Sequence, residues 1–197
     1  MTVSRISRLV TLAALVAVVN ACASTPSRFY TLDPTAIADG SPPERTTVMI
    51  APISVPAAVD QPQMVVQVAP NRVEMEEFNR WAAPLNDEIA RAVAGDLVVL
   101  LGTPDVTTTP LADFSPAYWV TINVQRFDSV QGEAAVVEAV WAVRRTAGGE
   151  TQSGRTIARE AAQGDGFDAL ASAHSRAVAK LSGDIAGAIR SEAGEQP

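Results

Sequence analysis

The last part of the chain carries its apolar residues on one helical face, and this pattern constrains the fold more than any other feature. Between residues 166 and 190 the apolar side chains recur at spacings of three and four. They are Phe167, Leu170, Val178, Leu181, Ile185 and Ile189. A helix with one apolar face is stable when another layer covers that face. The sequence therefore predicts a long helix packed on a second element.

A second amphipathic helix is predicted for residues 84–101. Pro84 suits the first turn, where the missing N–H of proline costs nothing. Gly102, followed by Pro104, is typical of a helix end. The apolar stripe between them recurs every four residues and consists of Leu85, Ile89, Val93, Leu97 and Leu101.

Alternating apolar and polar residues predict a sheet that these helices can cover. The predicted strands are residues 28–32, 46–53, 63–68, 72–76, 118–127, 134–145 and 155–160. Pro70–Asn71 turns a hairpin, and Gly148–Gly149 turns a three-stranded antiparallel meander. Residues 46–53 are apolar on both faces, which indicates a strand covered on both sides. Together, the predicted helices and strands indicate an α+β fold, a single domain with a mostly antiparallel sheet and two amphipathic helices packed on it.

Composition excludes several function classes. The chain has 197 residues and a net charge of -7, and Lys180 is the one lysine. An acidic chain without a basic cluster is a poor nucleic-acid binder, so no nucleic acid is expected as a partner. One cysteine and one histidine exclude a disulfide framework and a Cys/His zinc site. We therefore expect no metal and no cofactor.

The N-terminus predicts a lipoprotein signal. Arg5 and Arg8 precede an apolar run at residues 9–19, which is too short to span a bilayer. The run ends in Val19-Asn20-Ala21-Cys22, a sequence similar to a bacterial lipobox. Lipid on Cys22 would anchor the mature chain, since several acyl chains hold a protein far more firmly than one. An ordinary signal peptide with an incidental cysteine is the alternative.

These features divide the chain into three parts. We predict a signal peptide at residues 1–21, a lipidated tether and linker at 22–45, and a globular domain at 46–193. Ala23 follows the cysteine where an aspartate often retains lipoproteins at the inner membrane, so we expect the outer membrane, with the domain in the periplasm. Phe29 and Tyr30 are expected to pin the tether to the sheet edge or to touch a partner.

The sequence lacks the motifs of several common enzyme classes. It contains no G-x-S-x-G, G-x-x-x-x-G-K or H-E-x-x-H motif, so the residues that hydrolases, NTPases and zincins of these types use for catalysis are absent. Glu74, Glu76 and Glu77 favour a solvated acidic stretch over a glycosidase pair. Asp165 and Asp168 are interpreted as residues that complement a helix dipole. We expect no enzymatic activity.

His174 interrupts the apolar stripe of the last predicted helix. One interpretation is a core histidine that forms a hydrogen bond at the sheet. The other is a pH switch or a ligand. A metal site has less support, because the chain has no second histidine.

An ordered set of segments resembles the ABC-type transport auxiliary lipoproteins, a family that includes the lipoprotein of the paraquat-inducible (Pqi) system. After the lipobox the segments are SRFYTL (27–32), IAPISVP (50–56), DQPQMV (60–65), NR (71–72), RWAAPL (80–85), AHSRA (173–177) and LSGDI (181–185). Gln61 and Gln67 stand where the family pattern favours arginine. The resemblance runs from the lipobox through the last helix.

This resemblance implies a non-enzymatic role in moving lipid between the two membranes of a Gram-negative envelope. The implied partners are a periplasmic MCE-domain protein and an inner-membrane permease of the same system, with the lipoprotein as an outer-membrane docking or exit station. Two other functions stay open. One is a structural or assembly lipoprotein of the envelope, and the other is a small module with a lipid pocket between helix and sheet.

Partner-contact candidates follow from the same segments. Arg80 and Trp81 form a pair typical of an interface hot spot, and Gln63 and Asp60 lie in a neighbouring segment. Trp81 has an alternative role as a core plug between hairpin and helix. The hairpin of residues 63–76 has few large apolar residues and is expected to project from the core. A homo-oligomeric ring would suit a docking collar.

Overall fold

The computed structural model describes residues 25–109 and 112–194. The predicted signal peptide and Cys22 lie outside these residues. Within them, no helix is both long and apolar enough to cross a membrane. The described chain forms one α+β domain, which confirms the predicted fold class.

Two helices and eight strands make up the described part of the chain. The helices are α1 (Leu85–Leu101) and α2 (Phe167–Gly194). The strands are β1 (Arg28–Tyr30), β2 (Val48–Ile50), β3 (Gln63–Ala69), β4 (Arg72–Trp81), β5 (Val106–Thr107), β6 (Tyr118–Val130), β7 (Ala134–Arg145) and β8 (Gln152–Ala161). Both predicted helices, the hairpin β3–β4 and the meander β6–β7–β8 are confirmed.

Several predicted boundaries were wrong for local reasons. Pro84 is the N-cap of α1 rather than its first residue. Strand β2 ends at Ile50, before Pro52 of the predicted 46–53 strand, and all three of its residues are buried. Strand β4 continues to Trp81 instead of ending at residue 76, because its last residues pair with β1.

The sheet is mixed, and most of its paired residues are antiparallel, as predicted. One edge of β6 pairs in parallel with β2 at its start and with β3 at its end. Its other edge pairs with β7 in antiparallel fashion along nearly its whole length. Strand β1 adds to β4 in parallel, and β5 adds to β2 in parallel. The antiparallel pairs are the long ones, and the short parallel pairs join distant parts of the chain.

The core lies between the sheet and the two helices. Leu97, Leu181 and Ile185 are fully buried and belong to one cluster with Val137 and Ala139 of β7. Strand β6 buries alternate residues on the same side, as its pattern predicted. Side chains of both layers meet in this cluster at the helix–sheet interface.

The segment before β2 is part of the domain rather than the predicted linker. Residues 31–45 contain no helix or strand, yet they cross both helices as a strap. The backbone amides of Thr35 and Ala36 donate to Asp96 Oδ1 at 2.8 and 2.9 Å. Arg91 donates to the Leu32 carbonyl at 2.7 Å. With β1 in the sheet as well, the domain begins at β1 and not at residue 46.

The hairpin β3–β4 projects only in part. On β3, Met64 and Val66 are fully buried, because they continue the inner face of β6. On β4, residues from Arg72 to Met75 are exposed. The predicted projection therefore holds for β4 and is wrong for the inner face of β3.

Candidate docking groove

A surface groove of about 420 Å³ opens beside β1. Its walls come from three places in the sequence, namely β1, the loop before β3, and the segment that joins β4 to α1. The lining residues are Phe29, Asp60, Gln61, Pro62, Arg80, Trp81, Ala82, Ala83 and Pro84. Most of this lining is apolar, and Asp60 and Arg80 are its charged members.

Backbone pairing fixes the walls of the groove relative to one another. The Trp81 amide donates to the Pro62 carbonyl at 2.8 Å, and the Ala82 amide donates to the Tyr30 carbonyl at 2.8 Å. Phe29 is the cross-strand partner of Arg80, so the two side chains leave the same face of the sheet. Backbone hydrogen bonds to β1 and β4 therefore hold the loop and the connecting segment of the groove in place.

Three of the four predicted contact residues line this groove, and the fourth is next to it. Asp60, Arg80 and Trp81 contribute to the lining. Gln63 is the strand partner of Arg80 on the other side of β4. Arg80 Nε donates to the Glu77 carbonyl at 2.8 Å, which holds the guanidinium at the rim. The structure brings the set together, and a role in partner contact stays a prediction.

Phe29 and Tyr30 have opposite environments. Tyr30 is buried and donates from its hydroxyl to Asn79 at 3.1 Å, so it does pin β1 to the sheet. Phe29 is 63% exposed, and the pinning role expected for it is wrong. The sequence carried a signal for this difference, because adjacent strand residues face opposite sides.

The Trp81 side chain points into the core although its backbone lines the groove. It is 5% exposed and lies edge-on to Phe127 and His174, with ring centroids 5.8 and 6.0 Å away. This environment favours the core-plug alternative.

His174 is a core histidine. Its ring is fully buried and stacks on Phe127 with centroids 3.9 Å apart, and Nε2 lies 2.8 Å from Ser129 Oγ. Burial lowers the pKa of His174 from 6.5 to about 3. The ring is therefore neutral in the folded protein at neutral pH.

The burial of His174 predicts a loss of stability in mild acid. The unfolded chain takes up the proton below its ordinary pKa of 6.5, whereas the folded chain does so only near pH 3. Lowering the pH from 7 to 5 should therefore reduce the free energy of unfolding by about 2 kcal/mol, as measured by urea unfolding. A His174→Gln variant should show a flatter dependence over this window. Equal slopes in both proteins would contradict the assignment.

The other titratable candidates do not form a site. Asp168 lies in the first turn of α2, as predicted. Glu74 is exposed on β4, in agreement with a solvated stretch. Within 25–109 and 112–194, no three His, Cys, Asp or Glu side chains cluster in a way that could hold a metal ion.

The model of the family described as ABC-type transport auxiliary lipoprotein component matches residues 30–186. The chain belongs to this family. The match runs from the last residue of β1 through most of α2, and it confirms the resemblance seen in the sequence. No curated protein matches the sequence.

Solved structures share the fold of this auxiliary lipoprotein. The crystal structure of an uncharacterized protein aligns with a TM-score of 0.69 and 19% identity, covering 84% of this chain and 99% of the other. A Xanthomonas campestris protein of the family DUF330 aligns with a TM-score of 0.68 and 18% identity, covering 82% of this chain and 93% of the other. A PelC dodecamer from Paraburkholderia phytofirmans aligns at 0.42 and 15% identity, over 76% and 88% of the two chains. At that TM-score the likeness supports no statement about assembly.

Proposed function

We propose that this lipoprotein is the outer-membrane partner of an MCE-type intermembrane lipid transport system. In this role it docks the periplasmic MCE-domain protein, which connects to the inner-membrane permease, and it catalyses no reaction. Membership of the ABC-type transport auxiliary family supports a place in such a transport complex. The resemblance of the sequence to the Pqi-type lipoproteins supports the lipid cargo.

The observation that carries the proposal is the groove beside β1. It combines an apolar floor with one cation, Arg80, at the rim, which is the composition of a protein-binding hot spot. Phe29 of β1, which lies seven residues after Cys22 in the sequence, lines the groove. A partner docked here would meet the lipoprotein close to its anchored end.

A pull-down of the MCE-domain protein by the mature lipoprotein tests the docking role. Arg80→Ala and Phe29→Ala should each weaken binding by about 1–2 kcal/mol or more, while both variants keep their melting temperature because the two side chains are at the surface. Ile157→Ala is the matched control, since Ile157 is 64% exposed on β8, far from the groove. Binding that survives both groove changes, or that Ile157→Ala weakens equally, would contradict docking at the groove.

Anchoring is tested by a separate change, Cys22→Ser. Removing the sulfur that would carry the lipid should move the protein from the membrane fraction to the soluble periplasmic fraction, because the described domain has no helix that could cross a membrane. Fractionation and intact mass measure this directly. A variant that stays in the membrane with unchanged mass and processing would show that Cys22 is not the anchor.

A further inference from the structure

The outer face of the hairpin β3–β4 is apolar and uncovered. Met75 is 64% exposed and Val73 is 59% exposed. Met75 pairs with Val65, and Val73 pairs with Gln67, so all four side chains leave the same side of the sheet. We call Val65, Gln67, Val73 and Met75 the hairpin outer face. Val73 and Met75 are its exposed apolar side chains, and Val65 and the polar Gln67 are half-buried beside them.

Two of the three carboxylates of β4 are segregated from this face, and the third, Glu77, is exposed where the pairing with β3 becomes irregular. Glu74 pairs with Val66 and Glu76 pairs with Met64, and both of those partners are buried on the inner side. The Glu74 and Glu76 carboxylates therefore leave the side opposite Met75. Arg80, by contrast, shares its side with Phe29 and Gln63 at the end of the same strand. Apolar side chains of this kind can enter the acyl region of a lipid surface, and the Arg80 guanidinium can contact the lipid phosphates.

The direction of β1 points its first residue, Arg28, toward the half of β4 that carries this face. Strand β1 runs parallel to β4, with Arg28 opposite Asn79. The chain before Arg28 therefore approaches from the side of β4 that holds the hairpin outer face. Six residue steps separate Cys22 from Arg28, which spans at most about 22 Å. The same distance covers β4 from Asn79 back to Val73, since a strand rises about 3.3 Å per residue.

We propose that the hairpin outer face rests on the lipid surface into which Cys22 is anchored. This inference depends on the lipidation of Cys22 in the proposed function. It does not depend on the MCE partner. The short connection keeps the face within reach of the membrane, and burial of Val73 and Met75 among lipid removes apolar surface from water. The groove then lies at the boundary between the membrane and a docked partner.

Site-directed fluorescence on the lipidated mature protein tests this orientation. Lipid occupies the Cys22 sulfur, so Met75→Cys creates the one free thiol, which is labelled with bimane. The protein is reconstituted into phosphatidylethanolamine/phosphatidylglycerol vesicles with and without lipid that carries a doxyl quencher. Ile157→Cys is the matched control, because Ile157 is equally exposed but lies on β8, four strand positions from β4.

The doxyl lipid should quench bimane at position 75 by about twofold or more, because a face lying in the interface reaches the depth of the headgroup and acyl boundary. Bimane at position 157 should keep its intensity. Equal quenching at both positions, or none at position 75, would overturn the proposal. If Met75→Cys lowers the melting temperature, Val73→Cys replaces it, since Val73 is comparably exposed.

A second measurement separates lipid from a second copy of the chain. The Cys22→Ser protein with bimane at position 75 is examined without vesicles over a range of protein concentrations. A constant emission maximum supports lipid as the occupant. A blue shift that grows with concentration would assign the face to self-association and overturn the membrane orientation. The MCE protein is absent from both assays, so failed partner docking and failed membrane contact are distinguishable.

Discussion

Replacing Trp81 with alanine should lower the free energy of unfolding by about 3–5 kcal/mol. The indole is buried against Phe127 and His174, and its removal leaves a cavity between β4 and α2 that neighbours in regular strands and helices cannot fill. Chemical denaturation of the mature protein measures the loss. The effect on partner binding should follow only from the unfolded fraction.

Phe29→Ala is the control for this change. Phe29 lines the same groove but is exposed, so its loss should alter stability by less than about 0.5 kcal/mol. A Trp81→Ala protein with an unchanged melting curve and a weaker pull-down would reverse the assignment and make Trp81 a contact residue. An unchanged melt with unchanged binding would remove Trp81 from both roles.

Replacing Asp96 with alanine should release the strap and cost about 3 kcal/mol of folding free energy, because two backbone amides lose a carboxylate acceptor. Asp96 is fully buried on α1 and also accepts from Ser182 Oγ of α2 at 3.0 Å. Burial raises the pKa of Asp96, and the hydrogen bonds from Ala36, Ser182 and Thr35 oppose that shift. One side chain thus joins the strap to both helices.

Limited trypsin digestion reports on the strap itself. Arg45 lies at the end of the strap, and cleavage after it should become faster in Asp96→Ala than in the parent protein. Asp96→Asn keeps the acceptor oxygen for the two amides and should lose about 1 kcal/mol or less. Equal protection of Arg45 in the alanine variant and the parent would show that Asp96 does not hold the strap.

Local patterns determined the elements whose signals are complete within a few residues. Helix α1 has its apolar spacing, Pro84 at its start and Gly102 in the left-handed conformation at its end, all within one segment. The hairpin turn at Asn71 and the meander turn at Gly148–Gly149 likewise have positive φ, which their residue types allow. The ordered segments that resemble the family were also recognisable in the sequence.

Only the tertiary structure determined the path of the strap, the parallel strand pairs and the direction in which Trp81 points. The strap has no periodicity, and its partner Asp96 lies 61 residues from Thr35. Strand β1 joins β4 through three residue pairs, which is too little pattern to predict a partner or a direction. Trp81 fits an interface and a core equally well by type, and only the position of Phe127 and His174 beside it selects the core. Local propensity fixes short-range geometry, whereas these choices depend on which distant surfaces bury each other.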